Sequence, residues 1–140
     1  CGGLENDRTL AEAMARSFFN IATNVALKDS DSKICMLAEC SQGLGSEALL
    51  RYVAGNFIPG ASLDTIQYFE GLEILLSFTR VHNGLDISMV STLPEYYASR
   101  LDLKTLSAAR DAPSSVVSQN SRAKILVIPD ASAAYFTEPG

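Results

Sequence analysis

A polar loop with two glycines, Ala38 to Glu47 (AECSQGLGSE), has the residue types that a ligand site needs. The apolar run Lys33 to Ala38 leads into it, and a segment with helical character, Ser46 to Ala54, follows it. This order predicts a strand, a loop and a helix. In open α/β sheets such junctions lie at the carboxyl ends of the strands, where ligands bind.

Glycines and a capping residue give this loop two possible roles. Gly43 and Gly45 allow a positive φ and a close approach of the backbone to a ligand. Ser46 can cap the helix that follows, and the amino end of that helix would attract an anion. A tight turn that ends in a helix cap would use the same three residues, so the pattern fits a binding loop and a structural loop equally.

Four side chains of the loop and its flanks could contact a substrate. Glu39, at the predicted end of the strand, is a candidate for a role in a cleft. Glu47 is more simply a first-turn acid that the helix dipole favours. Ser41 and Gln42 could hydrogen-bond a ligand or satisfy their own loop.

Metal and thiol chemistry find little support in the sequence. His82 is the single histidine, which excludes a histidine-rich metal site, and its position before Asn83-Gly84 indicates a role at a helix carboxyl end. The three cysteines fit no zinc spacing. We expect Cys35 and Cys40 to pack as small apolar side chains in a reducing, cytoplasmic setting. No metal ligand is predicted in this chain.

The composition indicates one folded domain. A chain of 140 residues with 47% hydrophobic and 19% charged residues can bury a sizeable core. A net charge of −5 predicts no nucleic-acid partner, because phosphate binding needs a basic face. Apolar runs of four or five residues predict no membrane span. The start Cys1-Gly2-Gly3, without an initiator methionine, suggests a piece of a longer protein.

Hydrophobic periodicity predicts helices that alternate with short buried strands. The helices are expected over 8–27, 46–54, 62–83 with Gly71 in the interior, 103–110 and 113–119, with a short one after Pro94; the strands are expected over 33–38, 86–93 and 124–128. Glu12 and Arg16 lie four residues apart on the first helix and are expected to form a solvated ion pair. Since hairpin signals are missing, we predict a small, mostly parallel sheet covered by helices, a Rossmann-like α/β domain.

Three segments, in this order, resemble the carboxyl-terminal domain of nickel-pincer lactate racemases. GGLENDRTL at 2–10 resembles the glycine pair, aspartate and leucine that begin that domain. AECSQGLGSE at 38–47 is similar to its AEC-x-x-G-x-G loop, and ILVIPD at 125–130 is similar to its closing strand. VSTLP at 90–94 also resembles the family. Together these segments span almost the whole chain.

The resemblance implies a larger enzyme. In that family the preceding domain carries the lysine and histidines that hold a nickel pyridinium-dithio mononucleotide. The cofactor takes a hydride from the α-carbon of a 2-hydroxy acid and returns it on either face. This chain would then be the cap of an interdomain active site, with its own N-terminal domain as partner and a small 2-hydroxy acid as substrate. Alone it would hold no cofactor and be inactive.

One departure from the family concerns the substrate. The family carries a glutamine and, three residues later, a lysine on the first helix of this domain; an ungapped alignment puts Glu12 and Ala15 there. Loss of a lysine that faces a carboxylate removes an interaction worth about 1.5–3 kcal/mol. Arg16 next door points about 100° away on an ideal α-helix. The resemblance therefore implies a substrate other than lactate.

The sequence thus predicts the carboxyl-terminal domain of a lactate-racemase-like racemase or epimerase. The cleft residues would be Glu12, Arg16, Glu39, Ser41, Gln42, Gly43, Gly45 and Ser46. The alternative is a non-catalytic ligand-binding or interaction module with the same Rossmann-like fold. An independent nucleotide enzyme is disfavoured because Gly43-x-Gly45 lacks a third glycine and a phosphate-binding lysine.

Overall fold

A small parallel sheet forms the centre of the fold, as predicted. The computed structural model describes residues 6–26, 32–60, 67–83 and 85–134. Three strands, β1 (Lys33–Leu37), β2 (Asp86–Val90) and β3 (Lys104–Thr105), pair in parallel in the order β1-β2-β3. The α-helices are α1 (Leu10–Ala13), α2 (Phe19–Ala26), α3 (Glu47–Val53), α4 (Leu72–His82), α5 (Glu95–Arg100) and α6 (Asp111–Val117). A 3-10 turn follows at Ala131–Ala133.

The helical region before β1 is interrupted in the middle. Residues Met14–Phe18 form a π-helical segment between α1 and α2, where the periodicity alone predicted one regular helix. At its start, the Thr9 hydroxyl accepts a hydrogen bond from the Glu12 amide, and the Glu12 carboxylate accepts one from the Thr9 amide, each 3.2 Å long. This reciprocal pair is a capping box, which satisfies two amides that a helix start leaves free.

The core lies against one face of the sheet. The register pairs Ile34 with Ile87 and Met36 with Met89, so these four side chains share a face. Met36, Ile87 and Met89 are buried there, in one cluster with apolar residues of the surrounding helices. The main contributors from the helices are Leu10, Met14, Leu49, Leu75 and Phe78. Each such side chain stabilises the fold by about 1.5–3 kcal/mol when fully buried.

Several predicted elements are confirmed. The strand before the polar loop ends at Leu37, and the helix after the loop begins at Glu47. The long third helix ends at His82, and Pro94 directly precedes α5. No helix among the residues described is both long enough and apolar enough to cross a bilayer.

One prediction about the third helix lies outside the described residues, and another is wrong. Its predicted start at Ser62 lies outside the described residues. Its described part begins at Leu72, and Gly71 precedes it with a φ of 77°, so Gly71 is not in a helix interior. Glycine is required there because a Cβ on Gly71 would overlap the Ser46 side chain.

The second half of the chain departs most from the predictions. The strand predicted over 86–93 ends at Val90. The helix predicted over 103–110 is wrong: Lys104–Thr105 pairs with β2, and the Leu106 amide donates to the Met89 carbonyl. Pairing with a formed strand there outweighs a local helical pattern. Residues 124–128, predicted as a strand, take no part in the sheet of the described residues.

Candidate functional site

The polar loop lies at the carboxyl edge of the sheet and is held by the chain that leads into α1. The Cys40 amide donates to the Asp7 carbonyl at 2.7 Å, and the Gln42 amide donates to the Arg8 carbonyl at 2.8 Å. The Glu39 amide donates to the Asp7 carboxylate at 3.3 Å. These three hydrogen bonds, at Glu39, Cys40 and Gln42, fix the loop backbone against the start of the first helix.

The loop returns hydrogen bonds to the helix. The Leu10 amide donates to the Gly43 carbonyl at 2.9 Å, and the Ala11 amide donates to the Leu44 carbonyl at 3.0 Å. The first amides of a helix have no partner within it. The loop supplies those partners, so the loop and the helix start form one rigid unit.

The two glycines of the loop serve different needs. Gly43 has a φ of 81° with open space around it, so only its backbone conformation favours glycine. Gly45 has a φ of 67°, and a Cβ there would also overlap the Thr9 side chain. The close approach predicted for Gly45 is therefore made to the protein's own helix cap.

The pairing of β1 with β2 extends past the strands into the loop. The Ala38 amide donates to the Val90 carbonyl at 3.1 Å. The Glu39 carbonyl accepts hydrogen bonds from the Thr92 amide at 2.9 Å and the Thr92 hydroxyl at 2.7 Å. The backbone of Glu39 is thus fixed on both sides, while its side chain is exposed.

Ser46 caps α3, as predicted, and makes a second contact. Its buried hydroxyl accepts a hydrogen bond from the Leu49 amide at 3.3 Å and donates one to the Glu70 carbonyl at 3.2 Å. The Ala48 amide also donates to the Glu70 carbonyl. The Glu47 carboxylate lies at the same helix end and pairs with Arg51, Nε to Oε1 at 2.9 Å. These groups occupy the amides that an anion would use.

Polar side chains remain on the outside of this rigid frame. Glu39, Ser41 and Gln42 are exposed at the carboxyl edge of the sheet. The contacts above hold the backbone of Glu39 and Gln42, and Ser41 lies between the bonded residues Cys40 and Gln42. The geometry therefore presents one carboxylate, one hydroxyl and one amide on a fixed surface, which suits recognition of a polar ligand.

Glu12 and Arg16 are not the ion pair that the sequence predicted. The Glu12 carboxylate belongs to the capping box instead, and none of the ion pairs between described residues joins it to Arg16. Arg16 is exposed within the π segment. A π turn holds more residues than an α turn, so it changes the angular position of Arg16 relative to Glu12. Glu12 lies beside the loop, whereas Arg16 lies one turn further along the helix.

Cys40 is buried within the loop, where its thiol is poorly suited to act as a nucleophile. Burial, followed by the nearby charges of Asp7 and Glu39, raises the pKa of its thiol to about 12. A thiol with that pKa stays protonated at neutral pH and reacts slowly. Cys35 and Cys40 are both free, and Cys40 packs in the core as the sequence predicted.

His82 lies away from the loop, at the opposite edge of the sheet. It ends α4 shortly before the first residue of β2, and its Nε2 atom lies 3.1 Å from the Asp102 carbonyl. Its ring contacts Phe78 at a centroid distance of 5.2 Å. This is the role at a helix carboxyl end that the sequence indicated.

Three residues that hold the loop were not singled out as site residues. Asp7 and Thr9 were named only within the segment 2–10, and Thr92 only within the predicted strand 86–93 and the segment 90–94. The signal for Thr92 was available, because polar residues that follow neighbouring parallel strands meet at one edge.

The described residues contain no group of three or more His, Cys, Asp or Glu side chains that could hold a metal ion. No protein-family model matches the chain, and no curated protein matches it. The likeness to nickel-pincer racemases therefore depends on the three sequence segments alone.

Proposed function

We propose that this chain is a cap domain that closes a polar cleft against a neighbouring catalytic domain, as the carboxyl-terminal domain of nickel-pincer lactate racemases does. The observation that carries the proposal is the exposed set Glu39, Ser41 and Gln42 on a loop whose backbone is hydrogen-bonded at Glu39, Cys40 and Gln42. A rigid polar surface at the carboxyl edge of a parallel sheet is the usual place for a ligand in this fold class.

The chain's own part in such a site would be recognition and the exclusion of water. The Ser41 hydroxyl and the Gln42 side-chain amide can exchange hydrogen bonds with a substrate hydroxyl. Closing the cap over the substrate would strengthen these contacts, because water competes less in a closed site. The nickel-pincer nucleotide, held by the preceding domain, would supply the hydride chemistry. The described residues of this chain contain no group of three or more His, Cys, Asp or Glu side chains that could hold its nickel.

Charge around the loop bears on the substrate class. The Asp7 carboxylate accepts a hydrogen bond from the Glu39 amide, so the carboxylates of Asp7 and Glu39 both belong to this part of the loop. They disfavour an anion at the loop itself. Two exposed arginines lie in the segment that leads into the first helical region. Arg8 is next to the loop, and Arg16 lies one turn beyond Glu12. We therefore propose a 2-hydroxy acid larger than lactate, whose carboxylate extends toward these arginines while its polar remainder meets Glu39.

The test uses the longer protein, expressed with its upstream region and with the nickel-pincer cofactor supplied. We expect bound nickel and racemisation of a 2-hydroxy acid other than lactate. Gln42→Ala should lower kcat/KM, whereas Gln67→Ala, at an exposed glutamine before α4, should not. Failure to bind nickel under conditions that load a lactate racemase would overturn the proposal and favour a non-catalytic binding module.

A further inference from the structure

One surface segment combines exposed apolar side chains with positive charge. The exposed apolar side chains of the segment 117–127 are Val117, Ile125, Leu126 and Val127. Leu126 and Val127 are each 74% exposed. The charged residues of the segment are Arg122 and Lys124, so it carries two positive charges and no acid. Apolar side chains that are exposed as a group indicate an interaction surface. We call the segment 117–127 the basic patch.

A second exposed surface has the opposite charge. Ile58 is 67% exposed and Tyr68 is 70% exposed. Two phenylalanines, the chain neighbours of these residues, are in ring contact at a centroid distance of 5.1 Å, so both exposed side chains belong to one surface. The segment 67–73 contains Glu70 and Glu73 and no lysine or arginine. We call Ile58 together with the segment 67–73 the acidic patch.

The charges of both patches lack an ionic partner among the described residues. The ion pairs found there include none of Arg122, Lys124, Glu70 and Glu73. The Tyr68 hydroxyl donates a hydrogen bond to the Glu73 carboxylate at 3.2 Å, which leaves the negative charge in place. Two surfaces that combine exposed apolar side chains with unpaired charges of opposite sign are complementary to each other.

The two patches lie at opposite edges of the sheet. The Lys33 ammonium, on the first residue of β1, donates a hydrogen bond to the Gln119 side chain of the basic patch. The Glu70 carbonyl of the acidic patch accepts a hydrogen bond from the Ser46 hydroxyl, at the end of the loop that follows β1. The five residues of β1, a length of about 16 Å, separate these two edges. The patches of one chain therefore do not meet, and their pairing needs two chains.

We propose that the acidic patch of one copy of this chain binds the basic patch of a second copy. The apolar side chains of the two patches would cover one another, and the opposite charges would pair around them. Each patch is small compared with a stable interface, so the association is weak and depends on protein concentration. The inference does not depend on the proposed function, because neither patch includes Glu39, Ser41 or Gln42.

Analytical ultracentrifugation of the natural chain gives the first test. We expect the average mass to rise above 15.0 kDa as the protein concentration increases. The rise should be smaller at high salt, because salt screens exposed charges. A mass that stays at 15.0 kDa up to about 1 mM protein would overturn the proposal. An association that high salt leaves unchanged would also contradict it.

Reversal of the charges tests which surfaces meet. Glu70→Lys with Glu73→Lys makes both patches basic, and Arg122→Glu with Lys124→Glu makes both acidic. Each double variant alone should associate at least about tenfold more weakly than the natural chain, since like charges then meet. An equimolar mixture of the two should associate again, because each variant offers the charge that the other lacks. A mixture that stays monomeric, or a double variant that associates like the natural chain, would overturn the proposal.

Two further variants separate this contact from general effects of charge. Glu95→Lys, at an exposed position outside both patches, should associate like the natural chain. Leu126→Gln keeps every charge and should weaken the association by about tenfold, because it removes apolar area from the contact. Circular dichroism verifies that each variant is folded. Unchanged association of Leu126→Gln would place this exposed side chain outside the contact and contradict the proposal.

Discussion

The two edges of the sheet are held together by different means. At the amino edge, side chains connect the strands: Asp86, the first residue of β2, pairs with Lys33 of β1 at 3.4 Å and with Lys104 of β3 at 2.7 Å. At the carboxyl edge, backbone hydrogen bonds and glycine conformations hold the loop, and the side chains of Ser41 and Gln42 stay exposed.

This difference shows how one sheet can separate stability from recognition. Side chains that join strands have a structural role and are not available to a ligand. Side chains on a loop that its backbone already fixes are available, and they are also well positioned. The carboxyl edge therefore has the better claim to function, and the comparison predicts that substitutions at the two edges change stability by different amounts.

The largest effect is expected at the backbone frame of the carboxyl edge. Gly45→Ala should lower the free energy of unfolding by about 2–4 kcal/mol, since the new Cβ meets Thr9 and the residue has a positive φ. Urea unfolding followed by circular dichroism measures this. Gly43→Ala is the matched control: it has the positive φ without the overlap and should cost about 1–2 kcal/mol. Equal losses for the two variants would show that Thr9 does not contact the loop as described.

A smaller loss is expected at the buried cap. Ser46→Ala removes the acceptor of the Leu49 amide and the donor to the Glu70 carbonyl, and should cost about 1–2 kcal/mol. Thermal unfolding is a suitable measurement, and Ser46→Thr, which keeps a hydroxyl, serves as the comparison. If both variants lose the same stability, the hydroxyl contacts are not the cause.

At the amino edge, loss of the central carboxylate should matter less. Asp86→Asn removes two ion pairs, one of them to the largely exposed Lys104, and should cost about 0.5–1 kcal/mol at neutral pH. The loss should shrink at high salt, because salt screens exposed charges. Lys104→Met should cost less than Asp86→Asn, since Lys33 still pairs with the carboxylate.

The same variant should show a defined pH dependence. Hydrogen bonding from Lys104, helped by its charge and by Lys33, lowers the pKa of Asp86 in the folded state. The carboxylate therefore stabilises the fold above its usual pKa of about 3.9, and this stabilisation is lost as the pH falls through the lower folded-state value. The difference between the natural chain and Asp86→Asn should be constant near neutrality and vanish in acid. A difference that persists in acid would rule out the ion pairs as its source.

The sequence predicted the elements that local contacts determine, and it missed those that depend on contacts with distant parts of the chain. β1, α3 and the cap at Ser46 were predicted because local pattern and local contacts agree there. The π segment was not, since one extra residue per turn leaves no mark in a hydrophobic pattern. β3 was missed because Lys104–Thr105 is a strand only through its pairing with β2.

The candidate site shows the same division. The position of the loop followed from the order of strand, glycines and helix. The function of Gly45 did not, because its partner Thr9 is distant in sequence. The ion pair of Glu12 with Arg16 was predicted from their spacing, but Glu12 serves the helix cap instead. The spacing of residues on a helix shows which side chains can meet. It does not show which of several possible partners a side chain contacts.

The smallest effects on stability are expected at the exposed side chains of the loop, Ser41 and Gln42. Ser41→Ala and Gln42→Ala should each leave the free energy of unfolding within about 0.5 kcal/mol of the natural chain, because both side chains are exposed and the hydrogen bonds that hold the loop come from other groups. Ser107→Ala, at an exposed position beyond β3, is the control. A clear loss at Ser41 or Gln42 would mean that these side chains support the loop. Their neutrality would leave them free for a ligand, so any loss of ligand binding in these variants could then be assigned to recognition.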